Sequence, residues 1–137
     1  MTQTISHHAA LIYVMVTMSA VDSSMTDQEL KKIGDIVQTL PVFADFPHNR
    51  LVQVAEECGE ILQDAGGLDA VLGLVREALP VRLRETAYAL AVEVAAADRS
   101  VQQEELRLLQ LLRDALDIEK LAAAAIERGA RARYMTA

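Results

Sequence analysis

The chain has 137 residues, of which 52% are apolar and 4% aromatic, and its formal net charge is −7. This length suits one domain, and abundant Ala and Leu with few aromatics favour packed helices over a β-sandwich or barrel. Because 20 acidic residues outweigh 13 basic ones, the chain lacks the excess of Lys and Arg that nucleic-acid binding needs. The single cysteine, Cys58, excludes an intramolecular disulfide, and we expect a cytoplasmic protein.

An apolar stretch at 9–20 is predicted to be a core helix. A secretory signal needs Lys or Arg before its apolar core, and only His7 and His8 stand there. A membrane span takes about 20 residues, which is more than this stretch offers. We therefore expect no transmembrane segment, and we expect the two histidines to lie at a solvated helix terminus.

Apolar residues at helical spacing predict seven helices in chain order, at about 6–21, 26–40, 47–65, 68–79, 81–97, 102–116 and 118–134. Thr26 begins the second helix with a capping box, Pro47 opens the third, and Asp117 caps the seventh. Cys58 lies in the apolar stripe of the third helix and is expected in the core. The fourth helix is short and apolar on nearly every side, which predicts a central position.

Two parts of the chain, about 6–40 and 81–116, repeat each other at an offset of 76 residues. The identical pairs at this offset are Val16/Val92, Ala20/Ala96, Asp22/Asp98, Ser24/Ser100, Glu29/Glu105, Leu30/Leu106 and Leu40/Leu116. The fold predicted for residues 1–137 is a single all-α domain. In it, helices one and two and helices five and six form hairpins related by a pseudo-twofold axis, bridged by the middle two helices.

Each repeat carries an Asp at the end of its first helix and a Glu seven residues later: Asp22 with Glu29, and Asp98 with Glu105. At about 100° per residue, Glu105 falls at the centre of the apolar stripe of the sixth helix, and Glu29 is placed likewise in the second. An isolated carboxylate facing a core costs several kcal/mol unless it is paired, hydrogen-bonded or protonated. These four residues are the candidate site.

Two explanations remain open for this placement. Helix capping and Asx turns explain Glu29 well and Glu105 less well, because Gln102 stands where Thr26 would be repeated. A site for Ca²⁺, Mg²⁺ or Mn²⁺ explains both, because carboxylates and hydroxyls are the hard oxygen ligands that these cations prefer. The carboxylates would form one shared cluster or two separate sites.

The second copy, Ala-Val-Glu-Val-Ala-Ala-Ala-Asp-Arg-Ser-Val-Gln-Gln-Glu-Glu-Leu at 91–106, resembles the tellurite-resistance TerB family. The resemblance covers nearly the whole chain. It implies a seven-helix fold with a divalent-metal site at Asp22, Glu29, Asp98 and Glu105. It also implies roles in tellurite and stress resistance and in phage and colicin defence, with partners at the inner membrane face. The family usually has Gly after each Asp, where Ser23 and Arg99 stand here.

Three functions follow as hypotheses. The first is a TerB-like, non-enzymatic module that binds protein partners and a divalent cation. The second is a metal-dependent hydrolase that uses the same carboxylates on a two-metal site, although the sequence offers no His ligand or evident general base. The third is a structural interaction domain whose acidic turns are only helix caps. The sequence leaves the oligomeric state open.

Overall fold

The computed structural model describes residues 4–20, 25–97 and 103–137. Within these ranges the protein has seven α-helices and no β-strand, which confirms the predicted all-α class. The helices are α1 (His7–Ser19), α2 (Asp27–Thr39), α3 (Leu51–Gln63), α4 (Gly67–Ala78), α5 (Arg84–Ala97), α6 (Gln103–Ala115) and α7 (Lys120–Arg133).

Helix α1 is the centre of the fold. All of its residues except His7 and Ala9 are buried, and it packs against α2, α3, α4 and α5. The prediction that the fourth helix is central was wrong. Helix α4 buries only Gly67, Val71 and Val75, because it lies on the outside of α1 and α3, where its other apolar side chains stay partly in solvent.

Helix α5 is the second main packing element. It contacts α1 along one side and carries α6 and α7 on others. The helices of each predicted hairpin therefore touch, α1 with α2 and α5 with α6, and α4 contacts both α1 and α6. The pseudo-twofold relation and the 76-residue offset stay predictions.

Three helix starts differ from the sequence prediction. Pro47 and Pro80 each precede a short 3-10 turn, His48–Arg50 and Val81–Leu83, so α3 and α5 begin three to four residues later than expected. Asp117 does not cap α7. It ends α6 in the left-handed conformation, with φ 53°, while Ile118 N–H donates to the Arg113 carbonyl at 3.0 Å. This is a Schellman ending, and α7 begins only at Lys120.

The junction between α3 and α4 is tight. Gly66 has φ 74°, a left-handed conformation that glycine adopts without steric cost. At Gly67 a Cβ atom would lie 2.1 Å from the Ile61 carbonyl oxygen and 2.9 Å from the Leu62 Cα atom. Only glycine therefore lets the first turn of α4 approach the end of α3 so closely.

The histidine pair behaves differently from the expected solvated terminus. His8 is buried against Phe43 and Phe46, and its Nε2 atom lies 2.9 Å from the Val42 carbonyl oxygen and 3.1 Å from an Asp45 carboxylate oxygen. The prediction was wrong for His8 because the connector after α2 folds back over the start of α1. Cys58 is fully buried, as predicted.

Candidate functional site

Glu29 belongs to a complete capping box at the start of α2. Its Oε1 atom accepts hydrogen bonds from the Thr26 backbone N–H at 2.9 Å and from the Thr26 hydroxyl at 3.0 Å. The Glu29 backbone N–H donates to the Thr26 hydroxyl at 3.2 Å. The capping prediction for this residue is confirmed. The box satisfies backbone groups that the first turn of a helix leaves without partners.

Glu105 lies on the buried face of α6, as its position in the apolar stripe predicted. It is 4% exposed and shares that face with Leu108, Leu109 and Leu112. The neighbouring Glu104 points into solvent. The two repeat positions therefore differ in environment: Glu29 is half-buried at a helix start, whereas Glu105 is enclosed within the first turns of α6.

The two aspartates of the candidate site, Asp22 and Asp98, lie outside the described residues. Among the residues that the structure does describe, no three His, Cys, Asp or Glu side chains are grouped closely enough to hold a metal ion. The described part of the site thus consists of Glu29 and Glu105. Their chemistry fits a hard divalent cation, because each supplies carboxylate oxygens, and the capping box uses only one oxygen of Glu29.

A second feature, which the sequence did not predict, is a groove of about 1130 Å³ on the outer side of α5. We call it the α5 groove. Its floor includes Val92, Ala95 and Ala96 of α5, one wall includes Leu106 and Arg107 of α6, and the other includes Arg131 and Tyr134 of α7. Short side chains on α5 and the separation of α6 from α7 create the space.

A polar network closes one end of the α5 groove. Glu127 of α7 accepts a hydrogen bond from the Tyr88 hydroxyl of α5, and its carboxylate lies 3.2 Å from an Arg113 nitrogen of α6. Burial, together with the hydrogen bond to Glu127, raises the pKa of Tyr88 well above its ordinary value. The phenol therefore keeps its proton, and its hydrogen bond to Glu127, to a higher pH than an ordinary tyrosine would. The network ties the three helices together at this end.

The far end of α7 is tied to α5 by a second set of contacts. Arg133 makes a bidentate ion pair with Glu93, with both N···O distances 3.0 Å, and the Tyr134 hydroxyl donates to the same carboxylate at 2.7 Å. Paired contacts of this geometry fix orientation better than a single surface ion pair. The α7 wall of the α5 groove is therefore held to α5 at both ends.

The sequence profile of the family described as tellurite resistance protein TerB matches residues 8–128. The chain belongs to the TerB family. No curated protein and no solved structure matches it. The matched range includes Asp22, Glu29, Asp98 and Glu105, which agrees with the resemblance read from the second repeat.

The match to the TerB family also runs from α1 into α7, so it covers most of the fold. The part of the α5 groove formed by Arg131 and Tyr134 lies beyond the matched range. Among the described residues, no helix has both the length and the apolar character needed to cross a membrane.

Proposed function

We propose that this TerB-family protein is a partner-binding module of tellurite resistance and stress response. In this proposal it binds a divalent cation through Asp22, Glu29, Asp98 and Glu105 and is not an enzyme. Family membership supports the biological role. The cation proposal is supported by the TerB match over residues 8–128, which includes all four carboxylates, and by the occurrence of a Glu at matching positions of the two repeats, Glu29 and Glu105.

The cation would be Ca²⁺, Mg²⁺ or Mn²⁺, because every proposed ligand is a hard oxygen donor. Once bound, it would supply a fixed positive charge between carboxylates that otherwise repel one another. The residues themselves do the positioning: the Thr26 capping box orients Glu29, and the buried stripe of α6 fixes Glu105.

Partner binding would occur in the cytoplasm, at the inner face of the membrane. The family resemblance implies this place. The single cysteine is free and buried, so nothing in the chain requires an oxidising compartment. The α5 groove offers a surface on which a partner could dock.

Calorimetric titration with Ca²⁺, Mg²⁺, Mn²⁺ and Zn²⁺ tests the cation site. We expect wild type to bind one of the first three, and Glu105→Gln to weaken binding by at least about tenfold, since it removes a charged ligand. Glu104→Gln is the matched control, because Glu104 is the adjacent, exposed carboxylate on α6. It should bind as wild type does.

Other results would favour the other hypotheses. A wild-type protein that binds no cation would leave the carboxylates as helix caps in a structural interaction domain. Binding that survives Glu105→Gln would place the site elsewhere. Cation-dependent turnover of a panel of phosphoesters, lost in Glu105→Gln, would support the hydrolase instead.

A further inference from the structure

Among the described residues, no helix covers the side of α5 that faces the α5 groove. Helix α1 is enclosed by α2, α3, α4 and α5. Helix α5 packs mainly against α1, α6 and α7, and the α5 groove lies over α5 between α6 and α7. On α1 the outer position is filled by α4, which inserts Val71 and Val75 at i, i+4 spacing. Helix α4 thus shows that a single helix with two apolar anchors can cover one side of a main packing helix in this fold.

The dimensions of the α5 groove also suit a helix. Its α6 wall runs from Gln103 to Arg113, which corresponds to about 15 Å at 1.5 Å rise per residue, or roughly three helical turns. The floor of Val92, Ala95 and Ala96 has short side chains, so another backbone can approach closely. Helix-in-groove recognition uses apolar anchors at i, i+3 or i+4 and i+7, which span about 10 Å and fit within this length.

Apolar side chains stand exposed along the walls. Leu106 of α6 is 56% exposed and Met135, after α7, is 63% exposed, and both line the groove. Exposed apolar residues that share one concave surface mark interaction sites more often than scattered ones do. A docked apolar stripe would cover both of these side chains.

The charge of the groove walls indicates which side chains lie beside the apolar stripe of a bound helix. Arg107 and Arg131 line opposite walls, and neither forms an ion pair with another described residue. The lining acid, Glu127, is already neutralised by Arg113. In a chain of net charge −7, this groove is therefore locally positive. It complements carboxylates on both sides of an incoming helix.

We propose that the α5 groove binds an amphipathic helix of a protein partner, whose apolar stripe is flanked by Asp or Glu. The inference rests on the proposed partner-binding function and states where and what the module binds. The apolar stripe packs on Ala96, Leu106 and Met135, and the flanking carboxylates pair with Arg107 and Arg131.

Fluorescence anisotropy with a labelled synthetic peptide tests this proposal. The probe is a peptide of about four turns with Leu at i, i+3, i+4 and i+7 and Glu beside the stripe. One comparison peptide has the same composition in scrambled order, and another has Lys in place of each Glu. We expect the acidic amphipathic peptide to bind at least about tenfold more tightly than either comparison peptide.

Matched variants locate the binding surface. Leu106→Gln and Arg131→Glu should each weaken binding of the acidic peptide at least about tenfold, since they remove an apolar contact and reverse a charge. Leu121→Gln and Arg128→Glu make the same changes at exposed positions of α7 that do not line the groove. These two variants should bind as wild type does. Circular dichroism checks that all four remain folded.

Several results would overturn the proposal. One is that the scrambled peptide binds as tightly as the acidic peptide. Another is that the Leu121 and Arg128 variants weaken binding as much as the Leu106 and Arg131 variants do. The third is that the acidic peptide does not bind. A concentration-dependent dimer in light scattering that Leu106→Gln abolishes would identify a second copy as the occupant instead. Cation titration of the Leu106→Gln variant separates the two proposals, because it should match wild type even if the peptide result fails.

Discussion

Helices α1 and α5 are the two main packing elements of the fold, but they have different surroundings. Helix α1 is covered on all sides, and even its polar Thr17 and Ser19 are buried. Helix α5 is buried toward α1 but keeps an open side at the α5 groove. The difference arises because α4 covers α1, whereas no described helix covers the side of α5 that faces the α5 groove. Stability is therefore concentrated around α1, and the surface available for recognition lies on α5.

The largest expected effect concerns the junction that brings α4 onto α1. Gly67→Ala places a Cβ atom 2.1 Å from the Ile61 carbonyl oxygen, so α3 and α4 must separate. We expect a loss of about 2–4 kcal/mol in the free energy of unfolding, measured by urea denaturation.

Gly73→Ala is the control for this substitution. Gly73 lies in the same helix, and nothing is within 4 Å of the added methyl group. Because alanine has the higher helix propensity, this variant should gain about 0.5–1 kcal/mol. If both variants lost a similar amount of unfolding free energy, the close approach of α4 to α3 would not be the reason for glycine at position 67.

The next prediction compares the stability cost of replacing an alanine by leucine on α1 with the cost of the same change on α5. Ala10 of α1 is fully buried, so Ala10→Leu should cost about 1–3 kcal/mol of unfolding free energy through overpacking. Ala96 of α5 faces the α5 groove, where Leu has room, so Ala96→Leu should change stability by less than about 0.5 kcal/mol. Equal costs in thermal or urea unfolding would contradict the difference between the two helices.

Helical periodicity allowed much of this architecture to be predicted from the sequence. A stripe at 3.6-residue spacing identifies the buried face of a helix, and for that reason Cys58 and Glu105 were placed correctly. The capping box at Thr26 was also readable, because both of its hydrogen bonds are made within four residues. Local patterns carry this information without knowledge of the fold.

The missed features depend on contacts between distant parts of the chain. No pattern near α4 shows that it lies outside α1, since an apolar helix looks the same whether one side or all sides are covered. His8 is buried against Phe43 and Phe46, which lie more than 30 positions away. The α5 groove exists because α6 and α7 diverge over α5, and their packing angles are not encoded in either helix alone.

The smallest expected effect tests whether water is excluded from the contact between α1 and α3. Cys58 of α3 is fully buried, with its Sγ atom 3.7 Å from the Tyr13 carbonyl oxygen and 3.8 Å from the Thr17 hydroxyl of α1. Burial raises the pKa of the Cys58 thiol from 9.0 to about 11, and the Thr17 hydrogen bond opposes this only partly.

This raised pKa fixes the sign of the pH dependence. Below pH 9 the thiol is protonated in both folded and unfolded chains, so its contribution to stability is complete. Between pH 9 and 11 the unfolded thiol ionises while the folded one keeps its proton, which favours unfolding by about 1 kcal/mol at pH 10. Cys58→Ala removes this contribution but keeps the tyrosines, so its urea midpoint should fall less steeply than that of wild type between pH 8 and 10. Parallel pH profiles would show that water reaches the thiol, and the contact between α3 and α1 would then not exclude water as the burial of Cys58 indicates.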